Sequence, residues 1–291
     1  MLKLVRTGAV SFIFISALTA GAPVIAADAT PVINTPSNPI WLVLDIGAGG
    51  LRGEETGEGA GLDWEETYTD RQYYVAGSMV VEVSPHLSFQ ADAWTAGVRG
   101  DVSGTAHFEK DDDDDYTYDY WDSDTGFGAH ATWNGDNHRI GLYGDLSFGD
   151  YVFGSLQVEG AVHHGNWHLG GYAGVEKGLT GSAAAYDATE WYGTLYATYY
   201  ATPNLALTGY GGLWSSSSDD PGDEGEGGRI GAAIEYKHDH KPFSVYALFT
   251  HFVGEESDLV ESAEWSSNYV GVGFRWFLHE GTLQETDRHV F

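Results

Sequence analysis

Beyond Ile40, apolar and polar residues alternate in segments of about ten residues. Residues 139–148 show the pattern well: one face of the segment holds Ile140, Leu142, Leu146 and Phe148, and the other holds Arg139, Tyr143 and Asp145. Successive side chains of a β-strand point to opposite faces, so a two-residue period indicates strands with one apolar and one polar face.

The pattern recurs along the whole chain, with turn residues between the segments. We predict about twelve strands, near residues 40–52, 72–83, 87–101, 125–134, 138–148, 151–163, 167–177, 188–201, 205–215, 228–238, 242–254 and 267–279. An even number of this size lies within the range that bacterial membrane barrels use. Because backbone groups in lipid must all be paired, a membrane sheet has to close on itself.

The connections between the predicted strands alternate between two kinds. Five are short and contain Gly, Pro, Asn or Asp, which suit tight turns; they lie at 84–86, 135–137, 164–166, 202–204 and 239–241. The others are longer and acidic, at 53–71, 102–124, 178–187, 216–227 and 255–266, apart from a short link near Gly149. Long external loops opposite short periplasmic turns are typical of outer-membrane barrels. A soluble β-sandwich or barrel is the alternative.

The first residues are typical of a secretory signal peptide. Lys3 and Arg6 precede an apolar run from Ala9 to Leu18, and small residues follow at 24–27. No later segment has the roughly 20 apolar residues of a spanning helix, which excludes a helical membrane protein. We therefore predict a signal peptide at 1–27, an N-terminal periplasmic segment at 28–39, a barrel at 40–279 and a C-terminal periplasmic tail at 280–291.

The charge of the chain is strongly negative. Its 291 residues include 13 Lys+Arg and 43 Asp+Glu, and loss of Lys3 and Arg6 with the signal peptide would leave a formal charge of −32. This balance argues against nucleic acid as a partner and agrees with attraction of cations. Cysteine is absent, so disulfides and thiolate metal sites are excluded.

Aromatic residues gather near the predicted strand ends, where membrane proteins place them at the interface with water. They are Trp41, Tyr73, Tyr74, Trp133, Tyr151, Trp167, Trp191, Tyr192, Tyr199, Tyr200, Trp214, Phe243 and Phe277. Ordinary enrichment of aromatic residues in strands is the alternative reading.

Together with the signal peptide, the alternating strands and the terminal Phe291, these features make the chain resemble the bacterial outer-membrane β-barrel and porin-like proteins. The resemblance implies an all-β fold: an antiparallel up-and-down transmembrane β-barrel of about twelve strands, with long acidic extracellular loops and short periplasmic turns. It also implies two partners, outer-membrane lipid and the outer-membrane assembly machinery. In that family the terminal aromatic residue usually closes the last strand, whereas here a polar tail follows Phe277 and Leu278. Either the tail is periplasmic and Phe277 closes the assembly signal, or the last strand is misplaced.

If the apolar face meets lipid, the other face lines a lumen. That face would hold Asp45, Glu82, Asp92, Arg99, Arg139, Asp145, Glu159, Glu176, Glu235, Lys237 and Arg275. Acidic rings in a pore favour cations, whereas a packed network of carboxylates with arginine would hold a narrow barrel shut. For a barrel of this size we predict a narrow channel.

Two groups of residues raise the question of metal binding. The spacing of Asp122 and Asp124 is that of the first ligands in a calcium-binding loop, but the rest of the twelve-residue ligand pattern does not follow. Histidines gather near the predicted turns without the spacing of a zinc motif, at His86, His138, His163, His164, His168, His238, His240 and His279. We predict no cofactor, with Ca²⁺ or another divalent cation at the external loops as the alternative.

The predicted function is a monomeric porin-like channel in the outer membrane of a Gram-negative bacterium, conducting small solutes passively with a preference for cations. A non-conducting barrel that serves as a surface adhesion or structural anchor is the second hypothesis. A membrane-embedded hydrolase is the third; no Gly-x-Ser-x-Gly motif occurs, so we predict no enzyme, although a triad formed in space stays open.

Overall fold

A computed structural model describes residues 40–59, 62–108, 114–149, 151–180, 188–218, 224–239, 241–258, 261–278 and 281–287. The predicted signal peptide and the N-terminal segment up to residue 39 lie outside the described residues. So do His240, His279 and Asp111 to Asp113.

The chain forms one closed barrel of twelve antiparallel strands, each paired with its neighbours in sequence. The strands are β1 (Ile40–Gly59), β2 (Leu62–Ser84), β3 (Leu87–Phe108), β4 (Asp114–Asn134), β5 (His138–Phe148), β6 (Val152–His164), β7 (Trp167–Gly178), β8 (Thr189–Thr202), β9 (Leu205–Ser217), β10 (Glu224–Lys237), β11 (Phe243–Ser257) and β12 (Glu261–Phe277). The barrel closes where β1 pairs with β12, from Val43 opposite Phe277 to Gly59 opposite Glu261. All twelve predicted strands are confirmed, and so are the short turns at 84–86, 135–137, 164–166 and 202–204; the turn at 239–241 includes His240, outside the described residues.

The prediction of long acidic loops was wrong for the segments 53–71, 102–124 and 255–266. Most of 53–71 belongs to β1 and β2, which run in register up to Gly59 and Leu62. Most of 102–124 belongs to β3 and β4, and most of 255–266 to β11 and β12. The many acidic residues suggested loops, but they are side chains that reach solvent from paired strands.

An apolar belt surrounds the lower part of the barrel, at the end where the short turns lie. It is formed by outward-facing side chains that are exposed in the isolated chain, among them Ile40, Leu42, Leu44, Ile46, Leu142, Leu156, Val158, Leu169, Leu195, Leu207, Ile234, Val270 and Val272. Apolar side chains on the outer face of the wall, with polar or small side chains on the inner face, are typical of a barrel in lipid.

The wall of the barrel is uneven in height. Strands β1 to β4 have 20 to 23 residues, whereas β5 to β9 have 11 to 14. Above the belt the outward positions of the long strands become polar and exposed, as at Arg52, Glu54, Thr67 and Asp119. At about 3.3 Å per residue, the surplus of roughly eight residues makes these four strands about 26 Å longer, measured along the strands, than β5 to β9.

Tyrosine rings fill the space left by glycines on neighbouring strands. Tyr246 is paired with Gly273, and a β-carbon at Gly273 would overlap its ring. Tyr269 covers Gly49 in the same way. The glycines let the large tyrosine rings lie flat against the wall, and they thereby determine the positions of the tyrosine hydroxyl groups in the lumen.

After β12 a short helix, α1 (Leu283–Thr286), begins at the cap residue Thr282. The hydroxyl of Thr282 accepts a hydrogen bond from the backbone N–H of Glu285, and the Glu285 carboxylate accepts one from the backbone N–H of Thr282. This reciprocal capping box fixes the start of the helix. Among the described residues, no helix has the length and apolar character to cross a membrane.

Candidate functional site

The lumen gathers most of the charged residues that the alternation assigned to it. Inward positions of their strands hold Asp45, Glu82, Asp92, Arg139, Asp145, Glu159, Glu176, Glu235, Lys237 and Arg275. The prediction for Arg99 was wrong, because this residue is exposed on the outer face of β3. It stands above the apolar belt, where an outward charge meets water and not lipid.

Arg275 on β12 is the centre of one charged network. Its Nη1 lies 2.9 Å from Oε2 of Glu235, and its Nη2 lies 3.1 Å from Oδ2 of Asp45. The hydroxyl of Tyr246 donates to Oδ1 of Asp45 at 2.7 Å, and Ser244 donates to Oε1 of Glu235. Arg275 and Glu235 are 3 % and 4 % exposed, so carboxylates from β1 and β10 share one guanidinium away from bulk water.

His130 on β4 is the centre of a second network. Its Nε2 lies 2.9 Å from Oδ2 of Asp92 on β3, and its Nδ1 lies 2.6 Å from Oε1 of Glu159 on β6. The imidazolium form donates from both nitrogens, so this geometry suits a protonated ring held between two carboxylates. The ring also lies 4.2 Å from the ring of Tyr143. Neither nitrogen is placed to take a proton from a serine.

A third carboxylate site stands beside the second network. Tyr143 donates to Oδ2 of Asp145 at 2.8 Å, and Ser155 donates to Oδ1 at 2.6 Å. This carboxylate therefore has neutral hydrogen-bond donors rather than a basic partner among these contacts. The side chain stands on the inward face of β5.

The C-terminal segment, residues 281–287, lies across the short-turn end of the lumen. Tyr200 on β8 donates to Oδ2 of Asp287 at 2.6 Å, and Nη1 of Arg139 on β5 donates to the carbonyl of Asp287 at 3.2 Å. On another part of the wall, Lys237 of β10 donates to the carbonyl of Gly281. The segment is thus tied to several sides of the barrel at once.

Apolar packing also holds this segment in the lumen. Leu283 of α1 is fully buried in a cluster with Val43, Val80, Tyr200, Ala206 and Phe277. These side chains come from β1, β2, β8, β9 and β12. The cluster forms an apolar floor at the short-turn end of the lumen, beneath the charged networks.

The residues considered for metal binding do not form a metal centre in the part of the chain that the structure describes. No group of three or more His, Asp or Glu there could hold a metal ion. Asp122 and Asp124 belong to β4, and Oδ1 of Asp122 accepts a hydrogen bond from the adjacent backbone N–H of Ser123. His163 and His168, which lie near a predicted turn, are buried inside the barrel with ring centres 4.6 Å apart.

Asp70 is a buried carboxyl group in the tall part of the wall. It lies above the belt, between the exposed Thr69 and Arg71, and its Oδ1 accepts a hydrogen bond from Tyr120 at 2.5 Å. Burial raises the pKa of Asp70 to about 6, with a further increase from the nearby charge of Asp101 and a partial decrease from the Tyr120 hydrogen bond. Compared with the unfolded chain, the folded protein therefore favours the neutral form of this carboxyl group.

The raised pKa of Asp70 predicts a pH dependence of stability. Its favourable contribution is complete below pH 4 and is lost as the pH rises through about 6, since the charged form is then buried. The variant Asp70→Asn should be more stable than the wild type at pH 8 by about 1–3 kcal/mol, and equal to it at pH 4. Urea unfolding at both pH values measures the difference. The exposed Asp119→Asn serves as control; an Asp70→Asn effect that does not change with pH would contradict the assignment.

Sequence reasoning did not identify several of these residues. His130 occupies an inward position between Ala129 and Ala131, so the alternation itself could have assigned it to the lumen. The Thr282 to Glu285 spacing of a capping box could have predicted α1. By contrast, six aromatic residues predicted at the membrane interface point inward, namely Trp41, Tyr74, Tyr192, Tyr200, Trp214 and Phe277.

Family models and curated proteins give no match to this sequence. Several solved structures are similar to it. An outer membrane channel from Pseudomonas putida F1 is 12 % identical, with 86 % of this chain and 100 % of that chain aligned at a TM-score of 0.55. A FadL homologue from Pseudomonas aeruginosa is 10 % identical over 89 % and 96 % of the two chains, with a TM-score of 0.46. The outer membrane protease OmpT from Escherichia coli is 12 % identical over 85 % and 100 %, with a TM-score of 0.37.

The similarity to the Pseudomonas putida channel, at 12 % identity, concerns the fold. The chain has the closed antiparallel barrel fold of bacterial outer-membrane proteins.

Proposed function

We propose that this chain is an outer-membrane channel for the passive diffusion of small solutes, with a preference for cations. The observation that carries the proposal is a hydrogen-bonded charged lumen enclosed by an apolar belt. The belt would contact outer-membrane lipid, with the short turns on the periplasmic side. We expect a monomer that is inserted by the outer-membrane assembly machinery.

The preference for cations follows from the unequal charges of the lumen. Arg275 is shared by two carboxylates, and His130 is shared by two more. Asp145 is held by neutral hydroxyl groups, which leave its charge uncompensated in these contacts. A narrow pore lined by an excess of carboxylates attracts cations and repels anions.

The cation preference predicts the effect of neutralising two lumen carboxylates. In the double variant Asp145→Asn, Glu159→Gln, the ratio of potassium to chloride permeability should fall about sevenfold per charge removed, since a unit charge about 7 Å from an ion contributes roughly 0.6 kcal/mol in water, favourable for potassium and unfavourable for chloride. The reversal potential in a potassium chloride gradient across a planar bilayer measures it. Glu264→Gln, an exposed change on the outer face, is the control. Unchanged selectivity in the double variant would refute the cation preference.

The floor formed by the C-terminal segment favours a second candidate, a non-conducting barrel that anchors the tall extracellular wall as an adhesion or structural surface. This candidate predicts a folded but electrically silent protein whose binding to surfaces is lost when the upper parts of β1 to β4 are removed. Single-channel recording of the refolded protein separates the two candidates. We do not propose an enzyme, because both ring nitrogens of His130 face carboxylates.

A further inference from the structure

Three arginines stand close together on the outer face of β1 to β3, directly above the apolar belt. Arg52, Arg71 and Arg99 all occupy outward, exposed positions of their strands. Arg71 is paired directly with Arg99, and Arg52 lies two residues beyond Gly50, the partner of Arg71 on β1. Directly opposed side chains have β-carbons about 5 Å apart, and diagonal neighbours are about 7–8 Å apart. We call these three residues the arginine cluster.

The direct pairing of two arginines calls for a negative partner, because like charges opposite each other destabilise a sheet. Among the described residues, none forms an ion pair with a guanidinium group of the cluster. Glu54, Asp101 and Asp119 are the neighbouring acidic residues on the outer face, and they stand on the side away from the belt. Between the cluster and the short turns, the outward positions of β1 to β4 hold no charged residue. The cluster is therefore the first charge above the belt on these strands.

The height of the cluster matches the headgroup layer of a membrane. Arg52 is twelve residues after Ile40, the first residue of β1, and Arg99 is twelve residues after Leu87, the first residue of β3. Twelve residues at about 3.3 Å each, in strands tilted by roughly 40°, rise by about 30 Å. The apolar band of a membrane barrel is about 25 Å tall. The guanidinium groups thus stand just beyond the hydrocarbon, among hydrated headgroups.

The surroundings of the cluster also suit a headgroup. Trp121, paired with Arg99, is 64 % exposed, and Tyr73, two residues below Arg71 on β2, is 48 % exposed. Exposed Trp and Tyr are enriched at the level of lipid headgroups. At Gly50, the nearest atom to an added β-carbon would be a backbone oxygen 3.7 Å away. The missing side chain leaves room on the outer wall beside the cluster for an anionic group.

We propose that the arginine cluster binds the phosphate group of an anionic lipid in the outer leaflet of the membrane. A guanidinium group donates two parallel hydrogen bonds to phosphate oxygens, and the negative charge of the phosphate offsets the repulsion between the opposed arginines. The belt contacts lipid chains of any kind, whereas the cluster selects a headgroup. The inference rests on the proposed location in the outer membrane and not on conduction.

Native mass spectrometry of the refolded full-length barrel tests the proposal, because it counts the lipid molecules that stay bound. The barrel in uncharged detergent is titrated with lipid A, whose headgroup carries phosphate monoesters, or with phosphatidylcholine, whose phosphate is balanced by choline. We expect saturable binding of lipid A and far weaker binding of phosphatidylcholine. An arginine near a membrane surface contributes about fivefold in affinity for anionic lipid, so Arg71→Gln, Arg99→Gln should bind lipid A about thirtyfold more weakly.

Two further variants serve as controls. Lys177→Gln removes an exposed outward charge from β7, in the short part of the wall, and should bind lipid A as the wild type does. Arg71→Lys, Arg99→Lys keeps both charges but loses the forked N–H groups, so it should bind more weakly than the wild type. Far-ultraviolet circular dichroism checks that each variant keeps its strands. Millimolar inorganic phosphate should leave the lipid bound, since free phosphate lacks chains that insert beside the belt.

Four outcomes would overturn the proposal: no saturable binding of lipid A, equal binding of phosphatidylcholine, displacement of the lipid by inorganic phosphate, or lipid A binding that Arg71→Gln, Arg99→Gln weakens no more than Lys177→Gln does. Current recordings keep this test separate from the proposed function. A silent barrel that binds lipid A refutes the channel and supports the site. A conducting barrel that binds no lipid A refutes the site alone.

Discussion

Truncation after Leu278 is expected to raise the single-channel conductance of the refolded barrel several-fold. The truncated chain keeps the whole of β12 but lacks the segment that carries Leu283 and Asp287. Removing that segment takes away the dry floor at the short-turn mouth and leaves an aqueous path beneath the charged networks. Planar bilayer recordings of the full-length and truncated proteins, both refolded in detergent, measure the change.

A point variant tests the same floor without shortening the chain. Leu283→Asp places a charge in a fully buried apolar cluster, so α1 should leave the lumen and the conductance should approach that of the truncated protein. Glu285→Gln changes an exposed residue of the same helix and should leave the conductance as it is. If the truncated barrel conducts no better than the full-length one, the segment does not obstruct the pore.

Replacement of Arg275 by methionine is expected to cost about 3–5 kcal/mol of folding free energy, the usual result of leaving buried charges without their partner. Asp45 and Glu235 would then face each other in the lumen with no cation between them. Unfolding in guanidinium chloride, followed by tryptophan fluorescence, measures the loss.

Two further variants identify the cause of this loss. The triple variant Asp45→Asn, Glu235→Gln, Arg275→Met removes all three charges together and should recover most of the stability. Arg52→Met removes an exposed charge above the belt and should change the stability by less than about 1 kcal/mol. A triple variant as unstable as Arg275→Met would show that lost packing over Tyr246, 5.5 Å from the guanidinium, is responsible instead.

The strands and their two faces could be predicted from the sequence because a single rule determines them. Within the belt, outward side chains meet lipid and are apolar, so a polar residue that alternates with apolar ones must point inward. Asp145 and Glu159 were assigned to the lumen on that basis. Above the belt both faces meet water, and the rule no longer applies. There Arg99 was assigned inward, although it is seven positions from the inward Asp92 on the same strand and so points outward, and the upper halves of β1 to β4 were taken for loops.

The contacts within the lumen could not be predicted from periodicity. The alternation gives the face of each residue but not its height or its neighbours across the lumen. That Arg275 would join β1 to β10, or that His130 would lie between Asp92 and Glu159, depends on the stagger of strands far apart in sequence. The place of Leu283 depends on a cluster drawn from five strands.

The contacts of the C-terminal segment also bear on the order in which the barrel closes and the segment docks. Its partners Arg139, Tyr200 and Lys237 stand on β5, β8 and β10, and Val43 stands on β1. These strands surround a common space once β1 has paired with β12, so the binding surface for the segment is completed by closure of the barrel. We therefore expect the segment to dock only after the barrel has closed, so that protection of its backbone from proteases would mark a molecule that has finished assembling.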